Sequence, residues 1–497
     1  MCLPCYTFSV SAALQSASAE LTARLGSAAV FNQPVQRMLY EYDGGVDTAL
    51  PDLVVFPETR EQLQFVVETA ARYELLLVPR GAGTGLSGGA IARHGGILVA
   101  LNRMRRILAL DYANQRARVE PGVVNLELSN AAAPAGYYFA PDPSSQQACT
   151  IGGNVAENSG GPHTLAYGVT VNHVTGLEAI LPDGRWISAG GAALDTAGPD
   201  IAGLLTGSEG TLAIVAAITV KLTRRPEAAR TLLAIYDSID AAAISVSAIT
   251  SAGLIPAALE MLDGFTLRAV EDYIHAGYPR DSAAVLLIEL EGLEEEVEPG
   301  MHAVRRLCLQ AGAREVQLAR DAEQRQRLWK GRKHAFGAAG RIAPSLYVMD
   351  GVIPRTRIAE LLRAADEIAR RYKIQLGNIF HAGDGNLHPL VFFDQRQPGE
   401  LDRAVAASRE IIAACAAVGG SISGEHGIGM EKDQLMPLIF SEDDLDFMHR
   451  IRAAFNPQGR LNPGKLLPEF RACRETMNSW QLNAPFSSSD SVVSPNV

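Results

Sequence analysis

Apolar positions recur at helical spacing over residues 9 to 28 and over Glu58 to Tyr73, where Leu63, Phe65, Val66, Val67 and Ala70 fall close to one face. Short apolar runs bounded by breakers lie around them: Leu53-Val-Val-Phe56, stopped by Pro57, and Glu74-Leu-Leu-Leu-Val-Pro79. Leu53 to Pro79 therefore reads as strand, helix, strand. Further strands are predicted at Ile97–Leu101, Arg116–Val119 and Ile218–Leu222, with a helix over Asn125–Ala135 and a break at Pro141-Asp-Pro143. From about Arg230 the pattern changes to strand (Thr231–Tyr236), helix (Ile239–Ser251), strand (Ala258–Leu262) and strand (Ala284–Leu290), with a solvated helix start at Glu294-Glu-Glu296. Strands on both sides of helical stretches suggest an α+β unit with an antiparallel sheet.

Three stretches interrupt this pattern with glycine: Arg80-Gly-Ala-Gly-Thr-Gly-Leu-Ser-Gly-Gly-Ala90, Cys149 to Gly161, and Leu205 to Ile214. Each gives up folding entropy, and in return backbone N–H groups can approach a phosphate closely. Gly83, Gly85 and Gly88 satisfy GxGxxG, but a Rossmann site requires a helix after the loop. Here a turn and the strand Ile97–Leu101 follow, so Asp111 has no Rossmann role. Three such loops separated by β-rich sequence suggest one extended cofactor.

Composition narrows the alternatives. A chain of 497 residues exceeds one core and predicts two or three domains. The net charge of −11, without a basic stripe, argues against nucleic acid as a partner. There is neither a run of eighteen apolar residues nor a basic leader, and the six cysteines are scattered, which suits a reducing cytoplasm. Cys2-Leu-Pro-Cys5 is formally CxxC but stands alone.

The chemistry concentrates in two motifs. In Gly377 to Leu390, Asp384-Gly385 signals a two-residue hairpin turn, which would set His381 opposite His388 with Cβ atoms about 5 Å apart. A lone pair of this kind is more often structural. Ser423-Gly-Glu-His426 changes the balance by adding Glu425 as an oxygen ligand and His426 beside it. Two His and one carboxylate suit zinc or a related divalent ion with a position open for substrate. Arg332 has the planar fork for a carboxylate, an interdomain ion pair being its ordinary alternative. His94, His163, His173, His302 and His449 have no companion motif.

Taken together, Arg80–Ala90, Pro141-Asp-Pro-Ser-Ser145, Ile151-Gly-Gly-Asn154, Gly207-Ser-Glu-Gly210, His275–Pro279, Gly331-Arg-Lys333 and Ser423–Gly429 resemble flavoproteins of the vanillyl-alcohol oxidase and p-cresol methylhydroxylase type. Within it they are similar to the FAD subunits of the bacterial glycolate oxidases, over roughly residues 30 to 470. The resemblance implies a two-subdomain FAD-binding domain plus an α+β cap with a mainly antiparallel sheet. It places FAD on Arg80, Gly81, Ala82, Gly83, Thr84, Gly85, Leu86, Ser87, Pro141, Asp142, Cys149, Thr150, Gly152, Gly153, Asn154, Ala156, Asn158, Gly160, Glu209, Ile214 and Asn462. Relatives that tether the flavin use a histidine where Thr84 aligns, so FAD is expected to be non-covalent. The same resemblance gives metal binding to His381, His388 and Glu425, proton abstraction to His426, and substrate binding to Arg332.

The expected domains are an N-terminal helical segment (1–50), an FAD domain (51–226), a cap (227–431), a return to the FAD domain (432–472) and a disordered tail (473–497). The implied reaction is oxidation of glycolate to glyoxylate, or of D-lactate or another D-2-hydroxyacid, on FAD. Electrons would pass to a second FAD-domain subunit and an iron–sulfur subunit, with the chain cytoplasmic and at most peripheral to the membrane through those partners. In the 2-hydroxyglutarate branch of the family a lysine and a threonine align with Val348 and Phe336. Poor turnover of dicarboxylates follows as an expectation.

Overall fold

The strand–helix–strand unit forms where the apolar pattern puts it. Leu53–Val55 and Leu77–Arg80 run parallel to Ile97–Ala100 between them, and Val30–Phe31 adds an antiparallel edge. The Thr59 hydroxyl accepts from the Gln62 N–H at 3.2 Å and starts the helix Arg60–Arg72. That helix buries Leu63, Val66, Val67 and Ala70 against the sheet, beside Leu21 of the first helix, Cys5–Leu25. The computed structural model describes residues 5–193 and 197–469; the Cys2 end of the CxxC spacing and the tail 473–497 lie outside them.

A second, antiparallel sheet follows in the order Ile107–Asp111, Arg116–Val119, Ile214–Lys221, Val174–Ile180 and Trp186–Gly190. The short helix Ile151–Glu157 packs beside it, burying Ile151 and Val155 in spite of two glycines in its first turn.

The third sheet is antiparallel throughout. It runs Glu315–Leu318, Ala228–Tyr236, Ala284–Gly292, Ala258–Asp263, Gln375–His381, Asn386–Leu387 and Gly351–Val352, while Pro389–Phe393 pairs with both Gln375–His381 and Ser345–Val348. Both faces are buried. Leu232, Ala234 and Tyr236 join the core under helices Ile239–Ser251 and Glu294–Gln310, while Leu233 and Ile235 join that under helix Gly264–Ile274.

One register differs from expectation. His381 pairs with Asn386, not His388, because the loop spans Ala382 to Gly385: Asp384 N bonds His381 O at 3.1 Å and Gly385, at φ 72°, turns the chain back. The slip is two residues, which preserves the face. His381 and His388 become diagonal neighbours with ring centroids 5.1 Å apart.

The last described stretch stitches the first sheet to its loops. Leu77 N bonds Arg460 O at 2.9 Å and Asn462 N bonds Leu77 O at 2.7 Å. The Asn462 amide donates to Gly89 O and Glu209 O at 3.0 and 2.7 Å, and Lys465 Nζ donates to Ile91 O at 2.5 Å.

Candidate active site

A cavity of about 500 Å³ opens between the glycine-rich loops and the third sheet. Arg80 to Leu86, Cys149, Thr150, Gly152, Gly153, Asn154, Ala156, Glu209 and Ile214 line one side. The glycines here are a packing requirement. A Cβ on Gly81 would lie 2.6 Å from Thr150 Oγ1, and one on Gly152 2.5 Å from Pro121 Cβ. Gly83, at φ 69°, leaves its Cβ position to the Arg80 guanidinium, whose Nη1 is buried without a hydrogen-bond partner among the described residues. Thr150 caps the helix Ile151–Glu157 by accepting from Gly153 N at 3.2 Å. A cradle of backbone with an unpaired cation in its wall fits a diphosphate-bearing cofactor.

Six of the residues placed on FAD by resemblance do not line this cavity: Ser87, Pro141, Asp142, Asn158, Gly160 and Asn462. They hold its walls. Ser87 O accepts from Met430 N at 2.9 Å. Pro141 O accepts the Asn125 amide at 2.9 Å, and Asp142 accepts from His163 Nδ1 at 2.9 Å. Asn158 ends its helix at φ 54° and accepts from Val171 N at 2.8 Å. Gly160 leaves room for Glu425, whose Oε2 would be 2.7 Å from a Cβ there. Asn462 ties two loops together, as described above.

Arg332, Lys333, Phe336, Leu346, Val348, His381, His388, Glu425 and His426 line the facing wall. His381 Nδ1 meets both oxygens of Glu260 at 2.8 and 3.0 Å, and His388 Nδ1 donates to Met349 O at 3.0 Å. Each ring therefore turns an Nε2 lone pair the other way, toward Glu425 Oε1, at 3.3 and 3.1 Å. With both rings neutral, three acceptors converge with no donor among them, and His388 Nε2 is buried without a hydrogen bond among the described residues. Tetrahedral ligands at zinc, with bonds of about 2.0–2.1 Å, sit about 3.3 Å apart. The donor set and spacing fit a divalent cation. Burial opposes charge on His381, yet Glu260 and Glu425 outweigh it and push its pKa to about 10. A proton or a metal ion meets the same demand.

His426 stacks on His388 with centroids 4.9 Å apart and planes at 10°. Burial, together with the neighbouring His388, pushes its pKa down to about 4, so at neutral pH the ring is free to accept a proton. Its turn is built around Asp350, which is fully buried. That carboxylate accepts from Ser423 Oγ, Gly424 N and His426 N at 2.6, 3.0 and 2.9 Å, and Lys432 Nζ lies 3.3 Å away. Burial pushes Asp350 up, but Lys432, His426 and His388 outweigh it and hold it below the usual carboxylate range.

Arg332 is 1% exposed and forks onto Glu260, with Nε and Nη2 each 2.6 Å from Oε2. The ion pair named as its ordinary alternative is present, but Nη1 is buried and has no hydrogen-bond partner among the described residues. Glu260 thus orients His381 and Arg332 together. Glu260, Asp350 and Lys432 are absent from the residues singled out by motif. For Glu260 and Asp350 the signal in the sequence is a lone charge in or at the end of an apolar run, as in Ala258-Leu-Glu-Met-Leu262, which requires a buried partner; Lys432, between Glu431 and Asp433, carries no such signal.

The fold and this wall define a flavoprotein oxidoreductase. Residues 51–190 match the FAD binding domain family, and residues 225–466 match the C-terminal domain of FAD linked oxidases. The chain is 47% identical over 437 residues to the glycolate oxidase subunit GlcD of Escherichia coli (strain K12), covering 88% of each chain. It is 30% identical to a D-lactate dehydrogenase of Anaerostipes hadrus, covering 84% of this chain and 90% of that one. Its fold superposes on p-cresol methylhydroxylase with substrate bound at a TM-score of 0.79 and 17% identity, covering 92% and 98%. The chain belongs to the FAD-linked oxidases.

Proposed function

We propose that the chain oxidises a small 2-hydroxyacid, glycolate ahead of D-lactate, to the corresponding 2-oxoacid. The observation that carries this reading is one cavity wall. The unpartnered Arg332 Nη1, the convergence of His381, His388 and Glu425, and the neutral His426 share it with the apolar Phe336, Leu346 and Val348. The 47% identity to a glycolate oxidase subunit supports the substrate.

Bound FAD supplies the two-electron acceptor for the hydride leaving C2. A divalent ion, zinc in the first instance, would be held by His381, His388 and Glu425 and supplies Lewis acidity at the substrate hydroxyl. Arg332 Nη1 holds the substrate carboxylate, while Glu260 keeps the rest of the guanidinium in place. His426 takes the hydroxyl proton on Nε2, and Asp350 favours the imidazolium that results. Phe336, Leu346 and Val348 exclude water from the far side of C2. In this reading the described parts of 51–226 and 432–472 form the FAD unit, 227–431 the cap, and the described part of 1–50 a helical lead-in.

Electrons leave through protein partners, a second FAD-domain subunit and an iron–sulfur subunit. The similar chain is named a subunit, and the described free cysteines, Cys149, Cys308 and Cys415, are buried and unclustered. No described helix is long and apolar enough to cross a membrane, so attachment there would come through the partners. Anaerobic mixing tests the reading: glycolate should bleach the flavin spectrum, and a spectrum unmoved by every 2-hydroxyacid would overturn it. Acid precipitation should release the yellow colour into the supernatant, because Thr84 cannot form a histidyl link.

A further inference from the structure

Glu157 ends the helix Ile151–Glu157 and lines the cavity, yet among the described residues neither of its oxygens receives a hydrogen bond or an ion pair, and Oε2 is buried. The carboxyl is wedged between two glycine motifs. A Cβ on Gly89 would lie 2.5 Å from Oε1, and a Cβ on Gly427 2.1 Å from Oε2. The same Gly427 position is 3.0 Å from Glu209 Oε1, so the two carboxyl groups flank one point.

They are not equivalent. Glu209 accepts from Ile428 N and Gly429 N at 2.7 and 2.8 Å, donors that favour its anion. Glu157 has none. Asp43 adds a further negative charge nearby, Lys432 and Lys465 partly offset it, and neither lysine reaches Glu157 within ion-pair distance. Two adjacent buried carboxyls cannot both ionise cheaply, so the pair holds a proton, and it belongs on the member without donors. Burial first, and then Glu209 and Asp43, raise Glu157 well above the ordinary carboxylate range.

A neutral carboxyl that lines the cavity and takes no donor from the described residues keeps an O–H that a ligand in the cavity can use. Gly427 follows His426, and Gly160 abuts Glu425, so this carboxyl stands beside the 425–427 turn that carries the proposed chemistry. We propose that Glu157 donates its O–H to an acceptor atom of the FAD ring system and thereby sets the flavin potential. This rests on the reading above that a substrate deprotonated by His426 gives its hydride to bound FAD, which brings the flavin ring to the same wall. Its test uses no substrate, so it can fail separately from that reading.

The midpoint potential and FAD affinity of the holoenzyme should be measured for the wild type, E157Q and E157L. A donor that strengthens as charge builds on the ring stabilises reduced flavin. E157L should therefore lose at least tenfold in preference for reduced over oxidised FAD, about 30 mV for a two-electron couple. E157Q keeps an N–H donor and should lose less than about twofold. The infrared difference spectrum on photoreduction should show a protonated-carboxyl carbonyl band that is missing from E157Q, a reading that survives even if E157L fails to fold. Wild-type potential in FAD-loaded E157L, weaker FAD binding with no change in potential, or a difference spectrum without that band would overturn the proposal.

Discussion

Among the described residues, two separate places bring histidine and acidic side chains together at metal-binding spacing: the cavity wall, with His381, His388 and Glu425 and the overlapping set Asp350, His388 and His426, and the group of His163 with Glu289 and Glu291, both on the strand Ala284–Gly292. By residue type alone they are interchangeable. Their hydrogen bonds separate them. In the first, both Nδ1 atoms are engaged and the Nε2 lone pairs face a carboxylate. In the second, both carboxylates already have donors. Glu289 takes Arg325 Nε and Nη2 at 2.8 and 2.7 Å, Trp329 Nε1 at 2.6 Å and the Thr231 hydroxyl. Glu291 takes the Tyr167 hydroxyl at 2.9 Å, and His163 Nδ1 meets Asp142 at 2.9 Å. Arg325 occupies the role a metal would have. Proximity of ligand types nominates a site, and unspent lone pairs decide it.

The sharpest way to break this comparison is to remove one ligand from each cluster. His388→Ala should abolish bound metal and lower kcat/KM by at least about a thousandfold, a transition-state loss near 4 kcal/mol, with FAD retained. Metal analysis and the visible spectrum check both halves. Normal turnover in a thoroughly metal-free sample would refute the assignment.

A second effect sharpens what the first cluster faces. In the proposed arrangement the distal end of a substrate would meet Val348 and Phe336, which line the cavity, and a second carboxylate there would lose water without gaining a partner. D-2-hydroxyglutarate should be poorer than glycolate by about a hundredfold in kcat/KM for ~3 kcal/mol lost. Equal efficiency would mean that Lys333 or another cation serves the distal group.

The smallest effect belongs to the second cluster. His163→Gln should leave metal content and kcat unchanged and cost about 1.5–3 kcal/mol of stability, the worth of a hydrogen bond to a charged group. Burial opposes its charge, but Asp142 and Glu289 outweigh this and raise His163 well above the ordinary imidazole range. A raised folded pKa means the contribution is complete below the unfolded value of about 6.5 and fades as pH rises through the folded value. The stability gap between wild type and variant, followed by thermal melts across pH, should narrow only on the alkaline side. A gap that widens there would place the proton elsewhere.

The glycine wall was legible because its signal is local: consecutive residues with no other reason to be glycine. The first strand–helix–strand unit was legible for the same reason, its period lying within a single window. The hairpin Val174–Gly190 escaped, although Asp183-Gly184 carries the same turn signal used for the histidine hairpin. At Asp384-Gly385 that signal gave the wrong register, because dipeptide chemistry fixes a turn's presence and tertiary contacts fix its length. Arg355 Nε donates to Gly383 O and draws the longer loop out. Pairing His381 with His388 nevertheless succeeded, since a slip of two residues returns each side chain to its face. Glu260, 121 residues from His381, could not be read by spacing at all.

The C-terminal stitch bears on when during translation this protein can accept its flavin. Leu77 is capped by the carbonyl of Arg460, and Gly89, Ile91 and Glu209 wait for donors from Asn462 and Lys465. A nascent chain that has extruded both glycine loops still lacks the residues that fix their spacing. A chain that stops before Lys465 lacks the full set of these donors, so flavin loading is expected late in biogenesis, and products truncated there should purify without colour.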